Sequence, residues 1–178
     1  AAPYYLSGHQ IHVPGVQPRI IKCKTPLAWR KDLDFWMIQK AQKAGVEIQD
    51  EAKVIRVNQR ADTCSVTMIQ RKKTQEVKSR FAIGADGAAS AVRKSLFPKL
   101  KVQYSVPIRE CYEGNLDLEK DHFHWFFPKY RARPRFGLNH KDDCFLIEGS
   151  GIKELKHEII HILTKYGFNP KSKALWKD

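Results

Sequence analysis

Ile83-Gly84-Ala85-Asp86-Gly87-Ala88-Ala89-Ser90-Ala91-Val92-Arg93 is the stretch on which the reading of this chain turns. The apolar run Phe81-Ala82-Ile83 leads into it and reads as the end of a strand. Asp86-Gly87 is a turn signal. Ser90 to Leu96 reads as a helix, with Val92 and Leu96 four residues apart and Pro98 as its stop. Strand, small-residue turn and helix start form a geometry that brings backbone N–H groups to a phosphate. Asp86 and Arg93 flank the turn with one charge of each sign. An ordinary βα turn with a capping aspartate and a solvated arginine fits the same residues.

On either side of this turn the chain alternates between β and α patterns. Residues 10–13 and 19–24 read as short strands separated by Pro14-Gly15 and Pro18. Arg30 to Ala44 reads as a helix with Leu33, Trp36, Met37, Ala41 and Ala44 on one face, ended by Gly45. Val46-Glu47-Ile48 reads as a short strand, Val54–Asn58 and Cys64–Gln70 as a hairpin, and Val77–Ile83 as a third strand feeding the turn. Beyond Pro98 the pattern becomes antiparallel. Val102–Tyr112 reads as a long strand bulged or at an edge because of Pro107. His122–Phe127, Arg135–Asn139 and Cys144–Glu148 read as further strands. Ile152, Leu155, Ile159, Leu163 and Tyr166 mark an amphipathic helix closed by Gly167 and Pro170, and the last eight residues read as a frayed end.

The 178 residues suffice for one good core or two small ones. No apolar run is long enough to cross a bilayer, and no signal-peptide pattern opens the chain. The chain begins Ala1-Ala2-Pro3, without Met, which suggests an excised or processed segment. Cys23, Cys64, Cys111 and Cys144 are widely spaced and offer no metal template, so they read as free thiols of a reducing compartment. His122 and His124 share a strand face without a matching ligand set, and no metal is assigned. The net charge of +13 favours anionic partners: nucleic acid, anionic lipid or a phosphorylated substrate.

Three motifs carry a family resemblance. The first is the turn itself. Asp86, Gly87, Ser90 and Arg93 fit the D-G-x-x-S-x-x-R motif, and the stretch resembles that of FAD-dependent oxidoreductases with the para-hydroxybenzoate hydroxylase fold. The resemblance implies that these residues lie near the flavin pyrophosphate and ribose. The second is Arg30-Lys31-Asp32-Leu33-Asp34-Phe35-Trp36-Met37, followed by Ala41 and Gly45 to Ile48, which looks like the family's R-x-x-F/L-D-x-W/L-L helix and implies a cofactor contact for Arg30. A plain amphipathic helix fits the same periodicity. The third is Phe123-His124-Trp125-Phe126-Phe127-Pro128 with Gly137-Leu138-Asn139. It is similar to the Y-x-W-x-F-P…G-x-G signature of geranylgeranyl reductases, with Phe123 in place of Tyr and Asn139 in place of the last Gly. The resemblance implies that Phe123, Trp125, Phe127, Pro128 and Gly137 line a cavity for a polyprenyl chain. The rings of Phe123, Trp125 and Phe127 alternate and would share one face of a strand. The rings forming the sheet's own core is the competing expectation.

Together these resemblances imply an α/β fold, α+β within this stretch. It is part of an FAD/NAD(P)-binding para-hydroxybenzoate hydroxylase-like fold with an antiparallel substrate-binding sheet. Residues 1–98 would belong to the FAD-binding domain and 99–178 to the substrate sheet with its helix. The cofactor would be FAD, with NAD(P)H or ferredoxin as electron donor, and the reaction the reduction of isoprenoid C=C bonds of a lipid. An FAD-dependent monooxygenase or halogenase of the same superfamily is the alternative. No residue is a compelling general acid, and no catalytic residue is named. The family's G-x-G-x-x-G is absent from residues 1–29, and its later G-D-A motif is absent too. We therefore expect the middle of a larger flavoprotein, inactive by itself and binding FAD weakly or not at all. A cytoplasmic place with peripheral membrane contact is expected. Lys129, Arg131, Arg133 and Arg135 would share one face of an extended segment and meet anionic headgroups, at about 1 kcal/mol per basic residue. A solvated hairpin tip is the default for such a run. A basic nucleic-acid-binding module is the rival class. It lacks any RNP-like, KH, zinc-finger or helix-turn-helix signature, so no specific nucleic acid is expected. A degenerate flavoprotein stretch without activity is a third reading.

Overall fold

The computed structural model describes residues 4–127, 135–150 and 154–177, and the chain divides into two units, Ala1–Leu33 with Ser105–Asp178, and Asp34–Tyr104. The sequence pattern joins residues 1–98 into one domain. The first 33 residues instead group with the later strands, because β1 (Tyr4–His12) and β2 (Arg19–Leu27) extend their sheet.

In the first unit β6 (Pro107–Glu113), β7 (His122–Phe126), β8 (Phe136–Lys141), β9 (Cys144–Ser150) and β10 (Trp176–Lys177) complete a seven-stranded sheet in the order β10-β6-β9-β8-β7-β1-β2. All pairings are antiparallel except β1 with β7, which run parallel with His9 opposite Phe123 and His12 opposite Phe126. Alternation sorts the side chains onto two faces. One face carries Phe126, Phe136, Leu138, Phe145 and Ile147, which pack with Leu155, Ile159 and Leu163 of helix α3 (Leu155–Leu163) into the unit's core. Helical spacing of those three residues gives α3 its single buried stripe. A 3₁₀ turn (Thr164–Tyr166) and Gly167 at φ 87 end the helix and let Phe168 fold back into the core.

In the second unit β3 (Ala52–Arg60), β4 (Thr63–Gln70) and β5 (Lys73–Ser79) form an antiparallel meander. Val57 of β3 is buried, and its N–H donates to Ser95 Oγ of helix α2 (Ala91–Leu96) at 3.1 Å. Helix α1 (Arg30–Lys43) has no buried residue, and Phe35, Trp36 and Met37 are more than half exposed at 62%, 55% and 56%. None of its apolar residues is therefore fully packed away among the described residues.

Several sequence expectations need correction. Val46–Ile48, Phe81–Ile83 and Val102–Val106 are not strands. A strand needs a neighbour to take its N–H and C=O groups, and none of the three pairs with another segment among the described residues; Ile83 is 93% exposed. The strand expected from Val102 starts only at Pro107, a position where the missing proline N–H costs no ladder bond. The C-terminal residues are not simply frayed, because Trp176 pairs with Cys111 across β10 and β6. Phe127 lies just past β7. Pro128, Lys129–Pro134 and Ile152 lie outside the described residues. Among the described residues no helix is long and apolar enough to cross a membrane.

Candidate functional site

The turn at residues 84–93 is built by its own side chains. Asp86 Oδ2 accepts from the N–H groups of Ala91 at 2.6 Å and Val92 at 3.2 Å. Ser90 is the N-cap of α2, and its Oγ accepts from Arg93 N at 2.9 Å. The two side chains satisfy donors that the first turn of any helix leaves open. The N–H groups of Ala91, Val92 and Arg93 are therefore engaged within the turn itself. The Ser90 hydroxyl, ahead of an opposing contribution from burial and of the Val92 and Ala91 N–H groups, holds the Asp86 carboxyl below its ordinary pKa. Arg93 Nη2 donates to Ala88 O and, at 3.0 Å, to Tyr104 Oη, so the arginine ties the loop together.

Gly87 has φ 74, in the left-handed region that favours glycine, and the position a Cβ would occupy has no atom within 4 Å. The turn thus exposes bare backbone at Gly87 while Asp86, Ser90 and Arg93 fix its shape. Arg30, the first residue of α1, belongs to the first unit, whereas the turn belongs to the second.

The second site lies on the face of the larger sheet turned away from its core. Phe123 and Trp125 stack with centroids 4.5 Å apart and planes at 29°, and both are partly buried. His9 of β1 joins them, 5.8 Å from Phe123 and 6.2 Å from Trp125. The rings lie over Gly137 of β8, where a Cβ would come within 2.5 Å of Phe123 Cε1 and 3.3 Å of Trp125 Cζ3. Trp125 Nε1 donates to His9 Nδ1 at 2.8 Å. An indole N–H only donates, so His9 carries its proton on Nε2 and donates to Thr25 Oγ1 at 2.9 Å. The chain Trp125–His9–Thr25 fixes both rings.

His9 was missed in the sequence because its partner lies 116 residues away. The alternation His9-Gln10-Ile11-His12 was the available signal. Phe123, Trp125 and Gly137 come together on one face; Phe127 lies past the strand, where its N–H donates to His12 O at 2.8 Å. Of the basic run, Arg135 is described, and its Nε sits 3.4 Å from Glu158 Oε2, so that charge has a carboxylate partner.

A family model described as an FAD binding domain matches residues 23–120, more than half of the chain, and the chain belongs to that family. FAD is the cofactor of the family. No curated protein matches the sequence. Solved structures do. A geranylgeranyl bacteriochlorophyll reductase-like protein from Thermoplasma acidophilum superimposes with a TM-score of 0.79 at 15% identity, over 97% of this chain and 48% of that one. A flavin-dependent halogenase gives 0.71 at 12% identity, over 97% of this chain and 36% of that one. The p-nitrophenol 4-monooxygenase of Pseudomonas putida gives 0.67 at 10% identity, over 99% and 51%. The chain therefore spans about half or less of each of these relatives. At such identities the likeness establishes the fold: a partial, α+β version of the para-hydroxybenzoate hydroxylase-like architecture.

Proposed function

We propose that the whole protein is an FAD-dependent oxidoreductase, and that the aromatic face of the larger sheet receives the apolar chain of an isoprenoid lipid whose C=C bond is reduced. One observation carries this reading. The sheet builds its core on the α3 face, so the stacked Phe123 and Trp125 rings on the other face are not needed for it. They form a fixed apolar wall, and an isoprene tail laid against it gains about 25 cal/mol per Å² of apolar area removed from water. Phe123 has no hydroxyl, so the wall orients its ligand by shape and area.

In this reading the backbone at Gly87 approaches the cofactor, with Asp86, Ser90 and Arg93 shaping the turn and Arg30 adding a positive charge. The open space at Gly87 fits close approach by a large group. FAD, when bound, supplies the hydride chemistry. The chain's own residues orient the alkene and keep water from it. NAD(P)H or ferredoxin would supply electrons, the Lys129–Pro134 segment would contact an anionic membrane surface, and the 178-residue chain alone would retain little FAD.

The test is anaerobic. Flavin in the full-length protein is reduced and a geranylgeranyl-bearing lipid is added. Reoxidation without oxygen, slowed by Trp125→Ala, is expected. Reoxidation that needs oxygen and an aromatic substrate would instead establish a monooxygenase or halogenase.

A further inference from the structure

Three imidazoles are buried on the core side of the larger sheet: His12 of β1, His124 of β7 and His140 of β8. Residues 114–121, which join β6 to β7, form no helix or strand of their own. We propose that the neutral His140 ring is a latch for this loop, and that its protonation releases the loop as one segment while the strands beneath stay folded. The inference is independent of the proposed reductase activity.

Hydrogen bonds define the latch. A loop without a ladder must find other partners for its backbone groups. Leu116 N donates to His140 Nε2 at 3.0 Å. A backbone N–H only donates, so this nitrogen is a lone pair and the neutral ring carries its proton on Nδ1. That Nδ1 is buried with no hydrogen-bond partner among the described residues. Three residues on, the Glu119 carbonyl accepts from His124 Nε2 at 2.8 Å, and His124 Nδ1 in turn accepts from His12 Nε2 at 3.0 Å. Two neutral imidazoles therefore hold the loop, one as acceptor and one as donor. A proton added to His140 has only Nε2 to occupy. There it turns the acceptor into a second donor pointed at the Leu116 N–H, and that bond is lost.

The surroundings oppose a charged ring while the loop is closed. His140 is 3% exposed. The groups that face it are the His124 ring, 6.5 Å away and edge-on, Lys120 of the loop, and the apolar Phe145 of β9. Burial, then His124 and Lys120, lower its pKa to about 4. His124 is itself faced by His122, Glu119 and Asp121, and burial dominates there too, lowering its pKa. Leu116, packed in the core, and the bonds from Gly114 N to Asp143 O and from Asp117 N to Tyr166 O keep the loop closed at neutral pH. Release lets water reach the ring. Recovery of the ordinary 6.5 would favour the open loop by up to about 30-fold at pH 5 relative to pH 8.

Amide hydrogen exchange on the full chain tests this, read as protection factors at pH 7.5 and pH 5, both above the ordinary range of carboxylates. The Leu116 and Asp117 amides are expected to lose about 10–30-fold in protection together, and the amides of the β8–β9 ladder to change less than about twofold. In His140→Gln, which keeps an acceptor that does not titrate, the loop should be equally protected at both pH values. Nitrogen-15 NMR of the unsubstituted chain gives a reading that needs no variant: the His140 Nε2 resonance should move with the same midpoint as the Leu116 protection. Loop protection that is unchanged by acid, loop and ladder amides that fall together, an acid loss that persists in His140→Gln, or separate midpoints for the ring and the Leu116 amide would each overturn the proposal.

Discussion

Gly137→Ala tests the aromatic wall at its base. The added Cβ would sit 2.5 Å from Phe123 Cε1 and 3.0 Å from Cζ, distances no ring tolerates, while Trp125 Cζ3 would be at 3.3 Å. The Phe123 ring has solvent on one side and can swing out. Doing so forfeits the 4.5 Å stacking on Trp125 and the contact with His9. Losing such a ring pair costs about 0.5–1.5 kcal/mol, and residual overpacking adds to it, so the total should be about 1–2 kcal/mol. With a urea slope of about 2 kcal/mol/M, the midpoint falls by about 0.5–1 M. Two-dimensional NMR of the Trp125 indole N–H supplies the local readout, because that group is bonded to His9 Nδ1. Phe123→Leu in the Gly137→Ala background removes the clashing ring and should recover part of the loss as a coupling of about 1 kcal/mol. Gly8→Ala is the contrast. There the Cβ would meet the Ile21 backbone oxygen at 2.6 Å, at a register irregularity of β1 and β2, and a backbone atom cannot swing away. It should cost more than Gly137→Ala. An unchanged midpoint and an unmoved Trp125 signal in Gly137→Ala would refute the packing argument, as would failure of Phe123→Leu to recover anything.

Asp86→Ala should strip hydrogen-exchange protection from the Ala91 and Val92 amides, since its carboxylate accepts from both. The unsubstituted turn should lose the same protection on acidification: a carboxyl whose folded pKa is depressed contributes above its unfolded pKa and loses that contribution as pH falls through the folded one. In the full-length protein the same substitution should lower flavin occupancy, read from visible absorbance; full occupancy would reduce the turn to a structural role. His12 and His140 are both held to about 4, by burial first and then by His124, against an ordinary 6.5. Between those values the unfolded chain binds more protons, so stability is complete above pH 6.5 and declines on acidification towards pH 4. His140→Gln keeps an acceptor for Leu116 N and should cut proton uptake on unfolding by about one near pH 5.5, measurable from stability against pH. Leu138→Ala, at 0% exposure in the core, should cost about 2–5 kcal/mol in urea unfolding; a loss under about 1 kcal/mol would mean that the α3 face is not the core.

Local patterns settled much of this molecule in advance. The period of two through Phe123–Phe126 and Phe136–Ile147, and the spacing of Leu155, Ile159 and Leu163, place the antiparallel strands and α3 without reference to any distant residue. Ser90, Asp86 and Gly87 announce their turn because a helix start and a positive φ demand such residues at close range. Tertiary structure decided whatever depends on a partner far along the chain. Alternation alone cannot say which face of β7 becomes core; α3 covers the His124 and Phe126 face and leaves Phe123 and Trp125 as a wall. Nor can it show that β1 runs parallel to β7, which brings His9 to Trp125 and His12 to His124 across more than a hundred residues. The apolar runs at Phe81–Ile83 and Val102–Val106 have the composition of strands and are not strands, because hydrogen bonding to a neighbour, and not composition, makes a strand.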